Sequence, residues 1–299
     1  MAKATPLRRY PIPTRKHPPH PMIPVPRRRR PWYKAPRVVV SLLFLCTIFA
    51  LALFYPGLSG CDSFRMNLEE RLERPSSAHW LGTDEFGRDV LCRALQGGRI
   101  SLLVGVSAVV IALVPGLWLG LVAGYYGAWP DIVIGRLTDV LLAFPRILLA
   151  LLIVAWLGPS SVNAMLAIAV AGIPNYVRLT RSRTMQVRKA WFVRAAYVVG
   201  CTDVRILVRH VLPNVLPGIV ALATLDVAWA ILNASTLSFL GLGAQPPAPE
   251  WGAMINAGRG FLRQAPWISL VPSVLMTLTI LAGNLLGDGL RGVIDPQAR

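Results

Sequence analysis

The sequence predicts an all-α integral membrane protein with six transmembrane helices. Six long apolar runs, a shortage of charge and a lopsided distribution of the remaining charge predict it. Of 299 residues, 54% are hydrophobic and only 15% charged, and the mean hydropathy is +0.53. Soluble domains carry roughly 25% charged residues, so this chain has too few to cover a globular surface in water.

Residues 1–37 form a separate compositional zone. Pro11, Pro13, Pro18, Pro19, Pro21, Pro24 and Pro26 remove backbone donors and clash with a preceding turn. Arg8, Arg9, Arg15, Lys16, Arg27–Arg30, Lys34 and Arg37 repel one another without an offsetting acid. Such a segment is expected to be a disordered basic tail lying against anionic headgroups of membrane lipid. The first transmembrane helix is expected at 38–56 and an extracytoplasmic segment at 57–98. A five-helix core follows over 99–299, with apolar runs near 101–124, 132–157, 162–179, 215–240 and 267–290. Each run can cross roughly 30 Å of hydrocarbon at about 1.5 Å per residue. Helices are expected because lipid offers no partners to an open backbone. Gly105, Gly116, Gly120, Gly172, Gly283 and Gly287 lie within or at the ends of these runs, where small residues permit close helix packing.

Orientation follows from Lys/Arg in the short flanking segments. The tail is basic, and the segment between runs four and five carries Arg178, Arg181, Arg183, Arg188, Lys189, Arg194, Arg205 and Arg209 against Asp203 alone. Segment 57–98 instead holds Asp62, Glu69, Glu70, Glu73, Asp84, Glu85 and Asp89. Six spans then place both termini and the loop 180–214 in the cytoplasm. Leu58-Ser59-Gly60-Cys61 imitates a lipoprotein cleavage box. A signal peptide has a short basic region and an apolar core of about 7–15 residues, whereas here the basic region is long and the run can span. The first run therefore reads as a retained helix.

The formal net charge of +17 raises nucleic acid as a partner. Its concentration in two patches beside apolar runs, without any base-reading motif, argues against that class. Cys46, Cys61, Cys92 and Cys201 form no CxxC pair, and His17, His20, His79 and His210 form no ligand pair. No metal site is expected.

Two charges fall inside apolar runs. Arg146 follows Phe144-Pro145 in run three, and Asp226 lies in run five. Each counts to roughly 16–21 Å into its run. A lone charge there costs about 2.5–3.5 kcal/mol on insertion scales, so each should face protein or water. Ala230 and Asn233 share the Asp226 helix face at i+4 and i+7. Two readings stay open: an Arg146–Asp226 pair joining helices, or residues lining a translocation path with Asn233.

The segment Trp191-Phe192-Val193-Arg194-Ala195-Ala196-Tyr197-Val198-Val199-Gly200, running on to Arg209-His210-Val211-Leu212-Pro213-Asn214, resembles the "EAA…G…LP" loop of ABC-importer permeases. Residues Ala234–Pro247, Leu81–Val90 and Asn284–Arg291 narrow the resemblance to the second permease of the dipeptide/oligopeptide/nickel importer family. It covers about residues 80–299 and excludes the tail.

The resemblance implies the ABC importer permease fold in a bacterial inner membrane. It also implies a heterodimer with a sister permease, two ATP-binding subunits and an extracytoplasmic substrate-binding protein. ATP and Mg would bind to the ATPases, since this chain has no GxxxxGK[ST] loop, and no cofactor is expected here. Ala195, Ala196, Gly200, Leu212, Pro213 and Asn214 match the ATPase-coupling motif. Physically, Ala195 and Ala196 favour a helix with a slim surface, Gly200 permits a sharp turn, and Pro213 is expected to end the segment before run five.

Arg194 stands where the family often has Glu, and Asn233 where Glu commonly precedes Ala-Ser. Both Cys61 and Cys92 fall on the oxidising side, and the family more often has Ser at 92. Either a disulfide or two free thiols fits the sequence. An intramembrane hydrolase would need a base within a span, and no histidine lies in one; a passive channel would not need the ATPase-docking motif. The expected solute is a di- or oligopeptide, with glutathione-like molecules or nickel/metal–chelator complexes as alternatives.

Overall fold

The computed structural model describes residues 36–59 and 61–294, all within one unit of the chain, Pro31–Arg299. The basic segment 1–37 lies outside the described residues except for its last two positions. Among the described residues there is no β-strand, only helices and loops. In order they are α1 (Pro36–Ser59), α2 (Val90–Tyr126), α3 (Ala128–Leu142), α4 (Arg146–Leu157) and α5 (Ser161–Arg188). There follow α6 (Trp191–Val198), α7 (Asp203–Ile206), a π turn at Leu207–Val211, α8 (Leu212–Phe239), α9 (Trp251–Gly258) and α10 (Trp267–Ile294).

The expected six spans are not reproduced as six. Four helices among the described residues are long and apolar enough to cross a membrane: α2, α5, the continuous run Asp203–Phe239, and α10. The pair α3–α4 makes a fifth only if its 88° bend is counted within one span. In α1 the apolar stretch is shorter, Val38–Ala52. Run three breaks because proline has no N–H and excludes helical geometry from the residue before it. Helix α3 therefore ends at Leu142, and Pro145 caps α4. The proline starts a new helix rather than loosening a continuous one.

Three boundaries moved for identifiable reasons. Helix α2 begins eleven residues before the apolar run, because the Asp89 carboxylate accepts the N–H of Cys92 at 2.9 Å and caps it there. Helix α5 continues to Arg188, because arginine, glutamine and methionine are good helix formers even where the apolar run has stopped. The first part of the expected loop 180–214 is therefore helix. Pro213 does not end the coupling segment. The π turn just before it widens the backbone and lets a proline sit inside one helical run.

Helix α2 packs most extensively against α5. Gly116, Gly120 and Gly124 recur every four residues and face Tyr176, Thr180 and Thr184 at the same interval. A Cβ added at Gly120 would come within 2.5 Å of the Thr180 Cβ. Only hydrogen at these positions lets the helices approach so closely. At about 1.5 Å per residue, α2 runs roughly 55 Å and joins two chemically different ends of the bundle.

Candidate functional site

The middle of the bundle holds the two charges that the sequence placed within apolar runs. Arg146 is the first residue of α4, rather than a mid-helix residue, because the chain restarts after Pro145. Its Nη1 donates to Asp226 Oδ1 at 3.2 Å and its Nη2 to Oδ2 at 3.5 Å. The guanidinium also lies 4.7 Å from the Trp229 ring centroid, an attraction that strengthens when water is removed. Gly172 of α5 makes room for it, since an added Cβ would sit 2.7 Å from Nη2. Asn233 does not join the pair. It is buried and donates to the Trp229 carbonyl of its own helix at 2.6 Å.

The end of the bundle rich in arginine carries the motif Ala195, Ala196 and Gly200. Helix α6 packs Val193 inward and presents Trp191, Tyr197 and Val198 to solvent, with Val198 84% exposed. Ala195 is exposed and Ala196 half-buried. Gly200 follows at φ +85°, a conformation that a side chain resists, and so turns the chain sharply back towards α7. Leu212, Pro213 and Asn214 lie at the start of α8, where the Asn214 amide donates to the His210 carbonyl at 2.7 Å. The segment is held from below: the Tyr125 hydroxyl of α2 donates to Asp203 at 2.8 Å. Arg181 of α5 pairs with Asp131 of α3. Arg188 lies 5.7 Å from the Tyr125 ring.

The opposite, acidic end is closed by buried charge. The Asp84 carboxylate accepts from the backbone of Phe86 at 2.9 Å and from Arg88 Nε at 2.7 Å, and Arg93 lies 3.3 Å away. Arg93 also donates to the Ser63 carbonyl at 2.9 Å. Buried Glu250 caps α9 and accepts the hydroxyls of Ser101 and Ser235, each at 2.9 Å, tying α2 to α8. Trp251 and Trp267 donate their indole N–H groups to the carbonyls of Ala94 and Thr83. Cys61 and Cys92 are joined, with Cα atoms 6.2 Å apart. His79 stands between two carboxylates, with Nδ1 2.9 Å from Asp89 and Nε2 3.2 Å from Glu70. The Asp89 hydrogen bond raises its pKa above the ordinary imidazole value against the opposing effect of burial, and Glu70 adds to the rise.

Sequence reasoning did not single out Tyr125, Glu250 or Arg178 as site residues. Glu250 lies outside the apolar runs, so no membrane cost drew attention to it. Arg178 was grouped with the basic loop, although Tyr176 and Thr180 on either side of it pack against α2 well inside the membrane run. The π-bulged entry to α8 also left no periodic signal.

A family model described as "Binding-protein-dependent transport system inner membrane component" matches residues 116–299. The dipeptide transport system permease protein DppC of Alkalihalophilus pseudofirmus is 46% identical over 261 residues, covering 87% of this chain and 86% of the relative. The glutathione transport system permease protein GsiD of Pectobacterium atrosepticum is 44% identical and covers 87% of each chain. The di/tripeptide permease protein DppC of Pseudomonas aeruginosa is 43% identical, covering 87% of this chain and 88% of the relative. Among solved structures, a chain of the MetNI methionine ABC transporter in an inward-facing conformation aligns with a TM-score of 0.56 at 18% identity. It covers 68% of this chain and 97% of that one, and agrees in fold. With its apolar helices packed in that permease fold, the chain belongs to the binding-protein-dependent transport system inner membrane components, membrane-spanning permease subunits that work with ATPase and substrate-binding partners.

Proposed function

We propose that the chain is one half of the membrane channel of an ATP-driven peptide importer. It would pair with a sister permease, with two ATPase subunits in the cytoplasm and a binding protein outside. The observation that carries this reading is α6: an apolar helix held out on a glycine turn, with Trp191, Tyr197 and Val198 unburied at the arginine-rich end. Such a surface is unfavourable in water and fits the groove of a partner. The arginine bias puts this end, and both termini, in the cytoplasm. That orientation sets α6 beside the ATPases and the disulfide in the oxidising compartment. ATP hydrolysis lies in those partner subunits.

The mechanism is a lever. Closure of the ATPases would push Ala195, Ala196 and the rest of α6. The push would pass through the Tyr125–Asp203 hydrogen bond into α2 and through the π turn into α8. Asp226 on α8 holds Arg146 on α4, so movement of α8 is felt at the middle of the membrane. In this reading the pair Arg146–Asp226 holds two helices together at the wall of the path, and Asn233 supports the wall from within its own helix. Dipeptide is the first substrate expected, by likeness to the relatives; glutathione is the second, because a glutathione permease protein is nearly as similar. Uptake of labelled dipeptide by the reconstituted transporter, with glutathione as competitor, tests the assignment. ATP-dependent dipeptide uptake is expected, and glutathione uptake without dipeptide uptake would replace it.

A further inference from the structure

A cavity of about 520 Å³ opens between α5, α8 and α10 on the arginine-rich side of Asp226. Its polar lining is Asn175, Arg178, Ser182, Arg183, Asp226 and Arg291. Among the described residues the one carboxylate in that lining already engages Arg146, which leaves Arg178 and Arg291 to make the cavity cationic. Arg178 is exposed and has no ion-pair partner among the described residues. Its depth is set by its neighbours: Tyr176 faces Gly116 and Thr180 faces Gly120, so Arg178 lies level with the stretch between them on α2. The apolar run of α2 continues for about two turns, roughly 9 Å, beyond that level. An exposed guanidinium at this depth cannot rest against lipid tails without a cost of a few kcal/mol. It therefore fronts water or another protein chain. A cationic cavity beside a mid-membrane pair suits an anion in transit.

We propose that this cavity receives the free carboxylate of the transported solute, with Arg178 as its principal contact and Arg291 beside it. This inference rests on the peptide-import reading and adds to it the chemical group that the path recognises. Size agrees with such a role, since small-molecule sites occupy about 300–1,000 Å³. Gly218 and Ala221 keep the α8 wall low, so a backbone-sized group can enter. A carboxylate would replace the water on Arg178 with charge-assisted hydrogen bonds. The binding would stay weak, because the site is open and screened.

The test uses the whole transporter in proteoliposomes, with Cys46 and Cys201 changed to Ser and the exposed cavity residue Ser182→Cys as reporter. Positions 178 and 182 are i,i+4 neighbours on one helix face. An anionic thiosulfonate should therefore modify position 182 faster than a cationic one. Arg178→Gln should reduce that preference about sevenfold at low salt, as expected for one charge removed at about 7 Å in water acting oppositely on the two reagents, while Arg178→Lys should keep it. Dipeptide should slow the modification, and its C-terminal amide should not. Equal reagent preference with and without Arg178, or equal protection by peptide and amide, overturns the proposal. So does a preference that grows when anionic lipid is omitted by more than at an exposed control cysteine outside the cavity, because headgroups would then be the occupant. Loss of subunit assembly in Arg178→Gln also overturns it, by making Arg178 part of an intersubunit pair. Dipeptide uptake by the parent transporter is scored separately, so failure of the peptide assignment is not confused with failure of the cavity.

Discussion

The two ends of the bundle solve opposite problems with similar residues. At the acidic end, Asp84, Arg88, Arg93 and Glu250 are buried, and each is bonded to charge or backbone supplied by this chain. Trp251 is fully covered there. At the arginine-rich end, Trp191, Tyr197 and Val198 stand in solvent and α6 buries only Val193. The buried charges of one end are satisfied within this chain, whereas the apolar surface of α6 at the other end lies uncovered. The difference teaches where motion belongs: a lever must be loose where it is pushed and firm where it turns.

The comparison breaks most severely at Asp84. Replacing it with Ala removes the nearest carboxylate from two buried guanidinium groups, leaving Arg88 with Glu85 at 3.5 Å and Arg93 with the Ser63 carbonyl, and removing one partner of a buried pair typically costs about 3–5 kcal/mol. Asp84→Ala should therefore lower the thermal midpoint of the purified transporter and reduce its yield in membranes, whereas Arg194→Ala at the exposed end should do neither. The disulfide comes next. Cys61 and Cys92 are 31 residues apart, and a cross-link of that span contributes about 3–4 kcal/mol in the chain-entropy account. Intact mass after alkylation without reductant should show both thiols protected, and Cys92→Ser should destabilise only the acidic end.

The smallest expected effect is a pH dependence at His79. Its folded pKa is raised by Asp89 and Glu70 from 6.5, so protonation stabilises the fold. That contribution is fully present below the unfolded value and is lost as pH rises through the raised one. Protection of amides around 70–90, corrected for the intrinsic exchange rate at each pH, should fall from pH 6.5 upwards, and His79→Gln should flatten that profile. No matching transition is expected around Asp203 and Asp131, whose side-chain partners among the described residues are Tyr125 and Arg181.

Apolar runs made the membrane helices legible, and the Ala195-Ala196…Gly200 spacing made a helix followed by a turn legible before any coordinates. Arg146 and Asp226 were legible as charges that must face protein or water, because lipid tolerates neither alone; their pairing was one of two open readings. The helix break was not. Pro145 reads the same whether it kinks a helix or starts one, and packing around Trp229 and Gly172 decides between them. The acidic end was hidden for a different reason. Its bonds join Ser63 to Gln96, Ala94 to Trp251 and Thr83 to Trp267, and such distant pairings have no local pattern in sequence. The motif at Leu81–Val90 marked family resemblance, but only the coordinates give it work, as the turn that buries Asp84 and caps α2 through Asp89.

Whether α6 is the surface that the ATPases grip is tested most directly by a photo-crosslinking residue at Val198 in the intact transporter, in native membranes. The account predicts an adduct with an ATPase subunit whose yield changes when ATP binds, while the same probe at exposed Trp80 of the acidic end yields none. An ATPase adduct from position 80, or a binding-protein adduct from position 198, would contradict it.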